Sequence, residues 1–68
     1  MDKTAVGKKL IHLRGARTRS EVAKALGISK SALAMYELGN RTPRDEIKLA
    51  LAEYYGASVQ ALFYDIPA

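Results

Sequence analysis

Residues 18–39 read TRSEVAKALGISKSALAMYELG, two short amphipathic runs joined through Leu26, Gly27, Ile28 and Ser29. Val22, Ala23 and Leu26 in the first run, and Leu33 and Tyr36 in the second, recur at the spacing of one helical face. Each run has a start signal. Thr18 and Ser29 carry hydroxyls placed to accept from the free N–H groups of a first helical turn, and Glu21 completes a capping-box pattern with Thr18. Each run also has a stop, in Gly27 and Gly39, residues able to take positive φ. A link this short cannot fold two helices back as a hairpin, so they must cross steeply. Small Ala23 then lets the second helix approach, with Val22, Leu26, Ile28, Leu33 and Tyr36 filling the space beneath. The spacing predicts a helix-turn-helix over about residues 18–38, with its second helix held proud of the domain.

The same punctuation recurs outward along the chain. Gly15 and Gly56 close two further amphipathic runs, and Thr42 and Ser58 stand where the next helices begin. Thr42 with Asp45 reads as a second capping box, and Pro43 suits a first helical position, where its missing N–H does no harm. Val6, Leu10 and Leu13, then Ile47, Leu51 and Tyr55, then Val59, Leu62 and Phe63 keep helical spacing, and nothing alternates as a strand would. The expectation is a single all-α domain over residues 1–68, with helices at roughly 4–14, 19–26, 30–38, 43–55 and 59–64. Short links force these into one compact five-helix bundle.

A chain of 68 residues supports one domain with a thin core, since it buries only about 60% of the surface it exposes unfolded. It has no cysteine, and a lone His12 cannot build a metal cage with scattered carboxylates, so neither metal nor cofactor is expected. Stability must come from packed helices, helped by dimerisation. No run approaches the roughly 20 apolar residues of a membrane span, and no leader pattern opens the chain. A cytoplasmic, nucleoid-associated protein with no membrane partner is the expectation. Catalysis fails on inventory: there is no Cys nucleophile, no flanking carboxylate pair, no glycine-rich phosphate loop, and no Ser or Asp partner for His12.

Charge is distributed unevenly along the chain. Residues 1–44 hold ten Lys or Arg against three Asp or Glu, whereas residues 45–68 hold one against four. One end is built to meet something anionic. Charge alone leaves a solvated basic surface as open a reading as nucleic-acid or membrane binding. Position breaks the tie, because the basic half contains a helix whose N-terminal turn can reach base edges in the major groove.

Phosphate contacts are expected from Thr18 and Arg19, at the free N–H groups of the second helix, and from Asn40, Arg41 and Arg44 after the third. Ser29 belongs with them. Simple capping is the plainer role for Thr18 and Ser29, a solvated loop for Arg41 and Arg44, and core filling for Met35. Near the C-terminus, Tyr54, Tyr55, Leu62, Phe63, Tyr64 and Ile66 exceed what a small core needs. Leu62, Phe63, Tyr64 and Ile66 are read as a dimer interface, the alternative being that all six wrap the core.

The segments LRGARTRSEVAKALGIS, SALAMYELGNRTPR and YYGASVQALF together resemble the phage repressor and Cro type of helix-turn-helix, the xenobiotic response element (XRE) family. The resemblance covers the chain from Val6 to about Phe63, with a slightly shorter link between Arg14 and Thr18. It implies a lambda-repressor-like domain and a sequence-specific transcriptional regulator of bacterial or phage origin, a repressor, binding double-stranded DNA as a homodimer on a palindromic operator. Lys30, Ser31 and Met35 correspond to the family's base-reading positions. Lys30 would donate to guanine, Ser31 would bond to a base or phosphate, and Met35 or Ala34 would touch a thymine methyl. Arg14 and Glu37 match a largely buried ion pair. A rival reading keeps the fold as a protein-binding adaptor or antitoxin, since fold alone does not settle function.

Overall fold

The computed structural model describes residues 2–64, and these are all-helical, with no strand among them. Helices α1 (Lys3–Arg14), α2 (Arg19–Leu26), α3 (Lys30–Glu37) and α4 (Asp45–Tyr55) are followed by one π-helical turn, Gln60–Tyr64. Helix α1 packs mainly on α3, α2 lies against both α3 and α4, and the π-helical turn closes onto α1.

Local chemistry accounts for most helix ends. Thr18 Oγ1 accepts from Glu21 N at 3.1 Å, Ser29 Oγ from Ala32 N at 3.0 Å, and Ser58 Oγ from Ala61 N at 3.0 Å. Helix α1 has a cap that the sequence reading lacked: Asp2 Oδ1 accepts from Thr4 N and Ala5 N. Helix α4 departs from expectation. It begins at Asp45 with Arg44 as an N-cap that makes no side-chain cap, so Thr42 and Pro43 lie outside it. Pro43 is buried in the linking segment, and it is Arg44 that takes the extended conformation (φ −68°, ψ 163°) of an N-cap. Asp45 and Glu46 still fall in the first turn, where the helix dipole favours negative charge.

The core is drawn from every element: Val6 and Leu10, Val22 and Ala23, Leu33 and Tyr36, Leu51 and Ala52, Leu62 and Phe63. Leu62 and Phe63 are 1% and 0% exposed, which removes them from any dimer interface. Both belong to the buried apolar cluster, and Lys48 lies against the same turn with its stem buried. Its Nζ stands 5.8 Å from the Phe63 ring centroid and donates to Tyr64 Oη at 2.7 Å, tying the π-helical turn to α4. Lys9 Nζ donates to the Ala61 carbonyl from the α1 side. Tyr54 and Tyr55 also pack against the core, edge to face at 5.1 Å. The aromatic crowding therefore serves mainly the protomer itself. Tyr64 remains half exposed, and Ile66 lies outside the described residues.

Candidate nucleic-acid interface

The corner between α2 and α3 is set by Gly27 in the left-handed region (φ 70°, ψ 28°), where its N–H is held by Lys24 O and that of Ile28 by Ala23 O. A residue with a Cβ would be strained there. Ala23 is 2% exposed where α2 meets α3. Leu33, Tyr36 and Glu37 occupy the inward side of α3. The opposite side is free: Lys30, Ser31 and Met35 are exposed and Ala34 is half-buried. Met35 faces outward and is not core filler. Leu38, which the sequence reading did not single out, extends this face and is among the most exposed large apolar residues. Its spacing from Ser31, Ala34 and Met35 was the available signal.

Basic residues flank both ends of that surface. At the start of α3, Ser29, Arg41, Thr42 and Arg44 line an open groove of about 410 Å³ floored by Ile28, Tyr36 and Ile47. The groove brings the loop after α3 and the α3 N-terminus together, with Asn40 exposed nearby in sequence. Arg44 is solvated and loosely paired, its Nε 3.3 Å from Glu46 Oε1. The Ser29 and Thr18 oxygens each accept a capping bond, which leaves their hydroxyl protons to donate.

At the other end of α3 lies a charged junction. The Glu37 side chain is fully buried, and its Oε2 accepts from Arg14 Nε at 2.8 Å while Oε1 accepts from Arg19 Nε at 2.7 Å. Arg14 also donates from Nη1 to Arg17 O at 2.9 Å. Its pKa is raised, first by the hydrogen bond to Glu37, so it stays charged. Arg19, expected only as a phosphate contact, is thus shared with the protein interior. Nothing in the sequence pattern signalled this, because the bond joins residues 18 positions apart.

Beyond the junction, the Arg17 guanidinium lies over the rings of Tyr54 and Tyr55 at 5.3 and 5.8 Å. His12 is exposed on α1. Among the described residues no group of three His, Asp or Glu stands close enough to hold a metal ion, and no helix is long and apolar enough to cross a membrane.

The sequence profile of a family described as helix-turn-helix matches residues 13–62. The chain belongs to the XRE-type helix-turn-helix family. Two solved structures share the family's fold with it. The restriction-modification controller protein C.AhdI from Aeromonas hydrophila is 26% identical, with a TM-score of 0.81 over 91% of this chain and 97% of that one. The clp gene regulator ClgR from C. glutamicum is also 26% identical, with a TM-score of 0.76 over 91% of this chain and 83% of that one. No curated protein matches the chain. Membership accounts for the order of the parts: the helix-turn-helix over α2 and α3 is held between α1 and α4.

Proposed function

We propose that this protein is a sequence-specific, double-stranded DNA-binding transcriptional regulator that lays α3 in the major groove and acts as a repressor. The observation that carries the reading is the outward face of Lys30, Ser31, Ala34 and Met35, uncovered among the described residues, with Arg41 and Arg44 at one end and Arg19 at the other. Family membership, and likeness to a restriction-modification controller and a clp gene regulator, support DNA-binding transcription regulation.

Roles divide by chemistry. Lys30 donates to guanine O6 or N7, Ser31 bonds to a base or phosphate, and Ala34 and Met35 give apolar contact to thymine methyls. Thr18, Arg19, Ser29, Asn40, Arg41 and Arg44 bind phosphates and fix register. Lysine and serine offer single bonds to bases, so each half-site discriminates modestly and two are needed. A homodimer on a palindromic operator supplies the second, with the recognition helices about 34 Å apart. Leu49 and Tyr64, apolar side chains exposed at the acidic end among the described residues, form its contact. Occupancy of the operator is sufficient for repression by exclusion.

Selection of bound duplexes from a random pool tests this reading. A palindrome with half-site centres one DNA turn apart is expected. Failure to enrich any duplex overturns it.

A further inference from the structure

Glu37 ends α3 with a side chain from which water is wholly excluded, yet it faces two cations, Arg14 at 2.8 Å and Arg19 at 2.7 Å. Among the described residues, one carboxylate against two guanidinium groups leaves one positive charge uncompensated. Arg14 does not carry that surplus outward, because its Nη1 is turned to Arg17 O and its side chain is 18% exposed. Arg19 does. Its side chain is 30% exposed, and among the described residues its terminal amines have no hydrogen-bond partner. Arg19 is also the first residue of α2, where the backbone N–H groups of Arg19 and Ser20 have no acceptor within the helix.

We propose that Glu37 is a positioning residue for DNA contact. It grips Arg19 by Nε, so that the outer edge of the guanidinium and the adjoining α2 N–H groups together meet one backbone phosphate, which supplies the missing negative charge. The inference rests on the DNA-binding reading above. The chemistry requires arginine, because a planar guanidinium has donors enough to hold a carboxylate along one edge and a phosphate along another. A lysine ammonium, a single point on a flexible stem, serves one anion well and not both. The consequence is mechanical: a phosphate contact made from α2 is anchored to the last turn of α3, so register on the backbone is tied to the helix that reads bases.

Net charge and positioning predict opposite signs for one substitution. By charge alone, Glu37→Gln makes the protein more positive and tightens its hold on any duplex. By positioning, it releases Arg19 and weakens it.

The test is fluorescence anisotropy with a mixed-sequence duplex of about 20 base pairs, titrated between about 50 and 200 mM salt, with folding of each variant checked by circular dichroism. Arg19→Gln is expected to weaken binding about tenfold at low salt and to lower the salt slope by about 0.9, the value of one phosphate. Arg19→Lys, which keeps the charge, is expected to lose affinity several-fold. Glu37→Gln is expected to weaken binding in the wild-type background and to add no further loss to Arg19→Gln. An unchanged slope in Arg19→Gln, or tighter binding by Glu37→Gln, overturns the proposal while leaving DNA binding itself intact. If Glu37→Gln does not fold, Arg19→Lys decides, and wild-type affinity in that variant is the overturning result. A wild-type protein that binds no duplex at any salt removes the DNA-binding reading and this inference together.

Discussion

Gly7 in α1 lies directly against the end of α3, where a Cβ on Gly7 would stand 2.8 Å from the Glu37 carbonyl carbon and 3.0 Å from the Tyr36 carbonyl oxygen. The two backbones touch. This contact brings α1 close enough for Arg14, two turns further on, to reach the Glu37 carboxylate.

Gly7→Ala is therefore expected to destabilise the protein although it sits in a helix. Alanine gains about 1 kcal/mol in helix propensity over glycine. Overpacking against a backbone that cannot rotate away costs about 1–3 kcal/mol or more, and it wins. Urea denaturation should show a lower midpoint, and a higher one would contradict the close approach.

Tyr55 offers the opposite case. Its hydroxyl is buried and, among the described residues, has no hydrogen-bond partner. Removing an unsatisfied polar atom is expected to be favourable, so Tyr55→Phe should raise stability by about 1 kcal/mol at neutral pH. The phenol's pKa is raised, first by burial and then by the Glu37 charge. A raised folded-state value means the stability it protects is complete below the unfolded value of about 10 and is lost as pH rises through the folded value. Wild type should accordingly weaken relative to Tyr55→Phe in alkaline solution above that point. Parallel melts of the two proteins across that range check it; a constant difference would show that the phenol does not titrate as placed.

Lys30 and Arg41 should separate by what they read. Lys30→Ala is expected to flatten preference at one or two base positions, whereas Arg41→Ala should weaken every sequence alike and reduce the salt slope by about 0.9. Binding to a panel of single-base operator variants measures both effects. The same uniform loss from each substitution would mean the roles are wrongly divided.

Leu49 is 57% exposed on α4, next in sequence to Lys48. Placing a carboxylate there by Leu49→Glu, beside Asp45, Glu46 and Glu53 of the same helix, is expected to shift the proposed dimer to monomer. Sedimentation equilibrium reads this directly. Binding to a two-half-site duplex should fall while single-half-site binding is preserved, and an unchanged mass would exclude Leu49 from the contact.

Much of this molecule is legible in one dimension because helix starts and stops are decided within a turn of chain. Thr18, Ser29 and Ser58 cap the N–H groups three residues ahead, and Gly27 and Gly39 take the positive φ that ends α2 and α3. The outward face of α3 follows from which neighbours of Leu33 and Tyr36 are left over. Local signals misled where two of them competed: Thr42 and Pro43 look like a helix start, but Pro43 is buried in the link and α4 begins at Asp45.

The amino-acid sequence by itself determined the helix ends of the helix-turn-helix and the outward face of α3, since both depend on residues within a few positions of each other. Only the tertiary structure decided that Leu62 and Phe63 turn inward beneath Lys48, that Gly7 must have no side chain, and that Glu37 is shared between Arg14 and Arg19. Each of these depends on which distant segment arrives at a given face. Burial and ion pairing are properties of that meeting, and neither segment carries them alone.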